Sequence, residues 1–439
     1  MLSLLNKKRN KRMLYLTVIL LSLCLIWFVR KRFRPFSPAS VFTLFWAVQI
    51  LFIVIGWSNY LYFNYTGILY ILVGLVFYDL GYLAVKPAVV QGGNVAASKP
   101  SKRVSFKGLT AKHVYFFVLI LSFIGIVYGI HSHGFGLSNL LDLSSFMEMS
   151  NTNSVERYAD VDQDGIIDKI FGINACACPI LGGMSFYLFE KKKRIWSFVA
   201  LLPQAIGGLS QGAKMGIITG TFLWLIGLVV AAQLLDIKIK IKLRTIIILL
   251  VSAIGFMALL TVVMMFRIGQ FDTDTMYVVF GKAISYGLGH LPAFDMWFPT
   301  HEDVLSELTG GGKIFYGITN TLGILEREGG IFTKMMEVSP YGDETNVYTI
   351  FRFFIEDFGK IGALVYLFFM GWLCRKIYDG FVHKRNLFLS TTLMCGIYFF
   401  ISWSFVASIF AYATYIALMF YLYFLIKLFY RKEWTFCSS

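Results

Sequence analysis

The feature that most constrains this chain is a series of nearly uncharged apolar runs, each about long enough to cross a bilayer at roughly 17–25 residues per helix. They fall at 13–29, 37–56, 66–85, 113–130, 171–189, 195–209, 215–235, 245–267, 358–374, 387–406 and 410–430. Backbone at membrane depth has no water to bond, so each run must close its own hydrogen bonds as a helix. The expectation is an all-α polytopic integral membrane protein of about 11 transmembrane helices, one membrane domain over residues 1–439. The run at 195–209 is short and carries Pro203, which predicts a kinked or only partly spanning segment. With 57% apolar and 15% charged residues and a mean hydropathy of +0.68, a soluble domain is excluded, since such domains carry about 25% charged residues.

The net charge of +15 is not a nucleic-acid footprint, because most of it sits in short loops between the runs, where it sets topology. The partner it implies is the lipid bilayer. Loops 86–112, 190–194, 236–244, 375–385 and the tail after 427 are rich in Lys and Arg, whereas 57–65, an acidic second outer loop at 131–170 and a long loop at 268–357 are neutral or acidic. The positive-inside rule puts the first set in the cytoplasm and the second outside. Both flanks of the first run are basic; parity with the later runs puts the N-terminus outside if that run crosses, and otherwise the run lies along the inner surface. That run leads into Arg30, Lys31 and Arg32 rather than a small-residue cleavage site, so it reads as a retained span. The cysteines lie in or beside apolar runs, apart from Cys437 in the tail, and read as fillers rather than a disulfide framework. Residues 91–101 read as a flexible connection.

Chemistry concentrates in 341–362, at the outer mouth of the ninth run. Ionisable groups so close to lipid are costly and are usually kept for function. A helix over 346–358 puts Tyr348, Arg352 and Glu356 on one face, with Thr345 and Thr349 beside them. Elsewhere on the outer side, Lys214 closes a glycine-rich turn at a helix start, where an anion is welcome, and Arg267 closes the eighth run. The long loop carries an amphipathic stretch at 277–297, with His290 as a candidate substrate contact, and a flexible turn at Gly310, Gly311 and Gly312. His301 and Glu302 lack the second histidine of a zincin pattern. In the second outer loop, Asp160, Asp162, Asp164 and Asp168 with Gly165 have the spacing of an oxygen-donor calcium loop, although Phe171 stands where its bidentate Glu belongs. A structural calcium is the one cofactor the sequence suggests, and none is required for the chemistry.

The wording of 346–362, with Asn346-Val347-Tyr348-Thr349, Phe351-Arg352, Asp357-Phe358-Gly359 and Gly362, resembles the signature of the oligosaccharide repeat-unit polymerases, the O-antigen polymerase (Wzy-type) family. The resemblance implies a membrane glycosyltransferase fold of the C type, with a large outer loop between the eighth and ninth helices. It also implies a place in the bacterial inner membrane with the active site facing the periplasm. The implied reaction transfers a glycan from an undecaprenyl-pyrophosphate carrier to a sugar hydroxyl of another lipid-linked unit, with a flippase and a chain-length regulator as further partners. On that reading Arg352 and Arg267, supported by Lys214, meet the pyrophosphate; Asn346, Tyr348 and Thr349 orient sugar or phosphate; and Glu356, Asp357 or Glu344 serves as base. The family often has an arginine in a turn of the kind that here carries Lys214. An O-antigen ligase and a lipid-linked oligosaccharide flippase or other transporter are the alternatives the sequence leaves open.

Overall fold

The structure is a computed structural model that describes residues 2–86, 101–158, 165–211, 214–239, 287–325 and 335–435, with isolated positions between 255 and 285. Among the described residues, six helices are long and apolar enough to cross a membrane and two more are shorter. The six are α1 (Leu2–Arg32, its apolar part Arg9–Arg32), α2 (Pro38–Trp57), α3 (Thr66–Ala84), α4 (Leu109–Ser132), α5 (Ile166–Ser185) and α6 (Lys214–Leu234). A short α7 (His290–Trp297) and a long, kinked α8 (Ile350–Val382) follow. The two shorter apolar helices are α9 (Leu387–Trp403) and α10 (Ala413–Phe429). The sixth predicted run is broken into Ile195–Val199 and Leu202–Ser210; nine helical residues rise only about 14 Å, well short of a bilayer. The eighth run at 245–267 lies largely outside the described residues.

The chain divides into two units. The first holds residues 1–93, 284–380 and 396–413. Ser37 starts α2 by accepting the Ser40 N–H (3.3 Å), with Pro38 in the first turn, where its missing donor costs nothing. Helices α3 and α8 cross through glycine: a Cβ on Gly81 would stand 1.8 Å from the Phe368 carbonyl oxygen, and one on Gly371 2.0 Å from that of Tyr78. Backbones this close gain dispersion along the whole crossing, which is how helices associate where lipid offers no hydrophobic drive. Gly359, at φ 73°, breaks α8 into two arms. Before it, Phe351, Phe353, Phe354 and Ile355 are fully buried. After it, Ile361, Val365, Phe369 and Leu373 form an exposed apolar stripe along one face, suited to lipid. The Lys360 N–H, one of the orphan donors that open the second arm, is taken by Asp303 Oδ2 (2.8 Å).

The head of α3 is capped from a distant part of the sequence. Asp295 on α7 accepts the N–H groups of Asn64 (2.5 Å) and Tyr65 (2.6 Å) on one oxygen and those of Gly67 (2.7 Å) and Ile68 (3.2 Å) on the other. Beside it, the short antiparallel pair β2 (Met336–Glu337) and β3 (Glu344–Thr345) is tied to the 58–65 loop. There Tyr62 N–H donates to the Val338 carbonyl (2.8 Å), and Tyr60 donates its hydroxyl to Asp343 (2.7 Å). Two loops that the charge pattern assigns to the outer side therefore touch.

The second unit holds residues 94–283, 381–395 and 414–439. Within it α5 packs on α4 and α6. Asn174 at the α4 contact donates to Ser122 Oγ (2.8 Å) and to the Val118 carbonyl (3.0 Å), and accepts the Tyr421 hydroxyl (3.0 Å). Lys384 meets Asp236 at 2.5 Å, joining two loops read as cytoplasmic. Like the short pair in the first unit, a longer ladder escapes the all-α expectation: β1 (Ser101–Phe106) pairs antiparallel with β4 (Tyr430–Thr435), with Phe106 stacked on Tyr430 at 5.0 Å. Ser101, read as part of a flexible connection, starts this ladder. A strand that finds its partner more than 300 residues away leaves no local periodicity long enough to read.

Candidate functional site

The helix expected over 346–358 begins at Ile350. Thr345 is in β3, and Asn346 and Tyr348 lie in the irregular stretch between strand and helix. The start is fixed from outside, by the Ile350 N–H donating to the Ser404 carbonyl (2.8 Å). Arg352 and Glu356 keep their one-turn spacing, and Arg352 Nε donates to Glu356 Oε1 at 2.8 Å. Tyr348 reaches the same place from the extended side, with its ring 4.2 Å from the Arg352 guanidinium carbon. The guanidinium also lies over Trp297 of α7 at 5.0 Å. Two aromatic faces hold a planar cation by its quadrupole attraction and fix its orientation.

The second oxygen of Glu356 takes a cation that the sequence reading passed over. Lys313 Nζ donates to Glu356 Oε2 at 3.0 Å. The carboxylate is 9% exposed, Arg352 12% and Lys313 29%, so two desolvated charges are bordered by one that reaches solvent. Two cations thus converge on one carboxylate, with the Asp357 carboxylate beside Lys313 as the second acid of the cluster.

Lys313 is put there by Asp357. This carboxylate is buried, takes the Thr309 hydroxyl and the Lys313 N–H (2.9 Å) on Oδ1, and takes the Ile314 N–H (2.9 Å) on Oδ2; its own carbonyl accepts Gly310 N–H (3.0 Å). Burial pushes the Asp357 carboxyl up and these donors pull it down. Gly310 and Gly311, at φ 62° and 103°, supply the left-handed turn that wraps it. The turn read as flexible is thus held by a carboxylate, and a cleft of about 360 Å³ lined by Thr309, Gly311, Phe315 and Thr319 lies beside it.

The other candidates separate from this cluster. His290 is a core residue, 1% exposed, with Nε2 3.2 Å from Gln49 Oε1 and its ring between Trp46 and Phe405. Burial lowers its pKa to about 3 and keeps it neutral. Thr349 is fully buried. Glu344 is exposed in the ladder with Glu337 and forms no ion pair with the cluster among the described residues. Lys214 opens α6 in the second unit. Arg267, Asp160, Asp162 and Asp164 lie outside the described residues, and Asp168 is an acid in the first turn of α5, where it suits the helix dipole. Trp297 closes the amphipathic stretch at 277–297, which gave no sign of a contact with Arg352, and for Lys313 adjacency to three glycines was the available hint.

No protein-family model, no curated protein and no solved structure matches the chain.

Proposed function

We propose that this protein is a membrane glycosyltransferase that joins lipid-linked oligosaccharide units, as a repeat-unit polymerase does, at the outer face of a bacterial inner membrane. The observation that carries the reading is the cluster of Arg352, Lys313 and Glu356, clasped by Tyr348 and Trp297, at the head of the apolar second arm of α8. A pyrophosphate anchored to a lipid has to lie at such a boundary, and cations that tighten on it as charge develops lower the barrier to its departure. In the resting site both Glu356 oxygens are occupied by cations. A pyrophosphate that takes over Arg352 and Lys313 frees that carboxylate for the acceptor hydroxyl. The bond from the sugar anomeric carbon to pyrophosphate then breaks, the acceptor oxygen bonds to that carbon, and its proton passes to Glu356. Asp357, enclosed by donors, holds the Lys313 turn instead of serving as base.

Deleting the gene in its host and resolving surface polysaccharide on a gel tests this. Loss of the ladder with single capped units retained is the expected result. Loss of all capped units points to the ligase or flippase and overturns the polymerase reading.

A further inference from the structure

The cations on the outer side do not end with Arg352 and Lys313. Lys360 opens the second arm of α8, just past the Gly359 break, and is half-buried. Its ammonium donates to the His301 carbonyl at 2.6 Å and lies 5.0 Å from the centre of the Phe298 ring. A lysine that only snorkels reaches away from the fold for water, whereas this one is drawn back onto the outer loop. An ammonium has three donors, so the bond to His301 leaves two for a ligand. The chain keeps most of its cations in the loops read as cytoplasmic, so topology does not account for this one. His301 links it to the cluster. The His301 ring stacks on Trp297 at 4.4 Å, and the Arg352 guanidinium carbon lies 5.0 Å from the same indole. Burial lowers the His301 pKa, Glu356 and Asp303 raise it, and Lys360 and Arg352 lower it, so the fields of both cations reach one imidazole. On the other side of Lys360, Ile361 is 79% exposed and begins the apolar stripe that runs on through Val365 and Phe369. Cation, cation and hydrocarbon face thus follow in that order along α8.

A glycan carried on a lipid pyrophosphate presents its parts in the same order: sugar-side phosphate, lipid-side phosphate, chain. We propose that Lys360 binds the lipid-side phosphate, with the polyprenyl chain leaving along Ile361, Val365 and Phe369, while Arg352 and Lys313 meet the sugar-side phosphate. The assignment rests on the lipid-pyrophosphate reading of the cluster and gives the substrate a direction: the charge that develops as the glycan departs falls on the phosphate at Arg352, and Lys360 holds the charge that does not change. Lys360 therefore binds ground state and transition state alike.

The test titrates the full-length protein in detergent with farnesyl monophosphate, farnesyl pyrophosphate and inorganic phosphate by calorimetry. The monophosphate has its one phosphate next to the chain, so it reads Lys360 without the cluster. Lys360→Gln should weaken both esters about tenfold, the worth of one hydrogen bond to a charged group, and Lys360→Arg, which keeps the charge, should restore most of the loss. Arg352→Ala should weaken the pyrophosphate and leave the monophosphate unchanged. Inorganic phosphate, with no chain for the stripe, should bind far more weakly than the monophosphate ester. Monophosphate binding unchanged in Lys360→Gln, monophosphate binding lost in Arg352→Ala, or inorganic phosphate binding as well as the ester overturns the assignment. Pyrophosphate binding unchanged in Arg352→Ala, with both esters weakened by Lys360→Gln, overturns the reading of the Arg352 cluster and leaves the Lys360 site in place. Binding of neither ester by the wild-type protein overturns both.

Discussion

Asp357→Asn separates a carboxylate that holds a loop from one that does chemistry. The asparagine oxygen can keep the Thr309 hydroxyl and the Lys313 N–H, but its amide nitrogen then faces the Ile314 N–H, donor against donor. One buried N–H left unsatisfied costs about 2 kcal/mol, within the range of roughly 1–3 for such groups. That raises the population of the open 309–314 turn about thirtyfold. Lys313 is itself a trypsin site, so limited proteolysis of the purified protein reads the opening directly. Cleavage after Lys313 should accelerate about thirtyfold, with cleavage at the Lys191–Lys193 loop of the other unit unchanged. An unaltered rate at Lys313 would refute the assignment of Asp357 as the clamp of this turn.

His290 should make stability pH-dependent. Its folded pKa is about 3 against an ordinary 6.5, so between these values the unfolded chain binds a proton the fold does not, and stability falls as pH falls through that window. His290→Gln should flatten the slope, at most about 1.4 kcal/mol per pH unit, in unfolding measured from pH 7 to 4; a slope unchanged by the substitution would contradict a neutral core histidine. Reporter fusions after Gly342 and after Lys384 should report outside and inside respectively, and a cytoplasmic signal at the first would reverse the orientation. Gly81→Leu should abolish stable insertion, since any Cβ meets the Phe368 carbonyl; a normally expressed variant would contradict the close α3–α8 crossing.

The six long apolar helices among the described residues were legible because hydropathy and length act along the chain, and Arg352 with Glu356 was legible because one helical turn fixes their spacing. What was not legible came from residues distant in sequence. The start of α8 was misplaced by four residues because it is set by Ser404 and by the ladder that holds Thr345, not by any cap in 346–349. Lys313 and Trp297 reach the cluster through Asp357 and α7, 44 residues and more away along the chain in the case of Asp357 and the Lys313 N–H. His290 and Asp357 were read as site residues because a polar group in a loop looks available. The burial of both, and the donors that enclose the Asp357 carboxylate, are features that no single sequence displays.

The central claim is that Arg352 stabilises a departing pyrophosphate. Arg352→Ala leaves Glu356 still paired with Lys313, so no uncompensated buried charge remains and the protein should insert at the wild-type level. Loss of a charge-stabilising donor costs roughly 10²–10³ in rate, about 2.7–4 kcal/mol. Arg352→Lys should recover part of this, because the ammonium lacks the planar fork held between Tyr348 and Trp297. The decisive measurement is the surface-glycan ladder of a deletion strain complemented with Arg352→Ala at matched expression. Collapse towards single units is the predicted result, and a ladder identical to wild type would contradict the account.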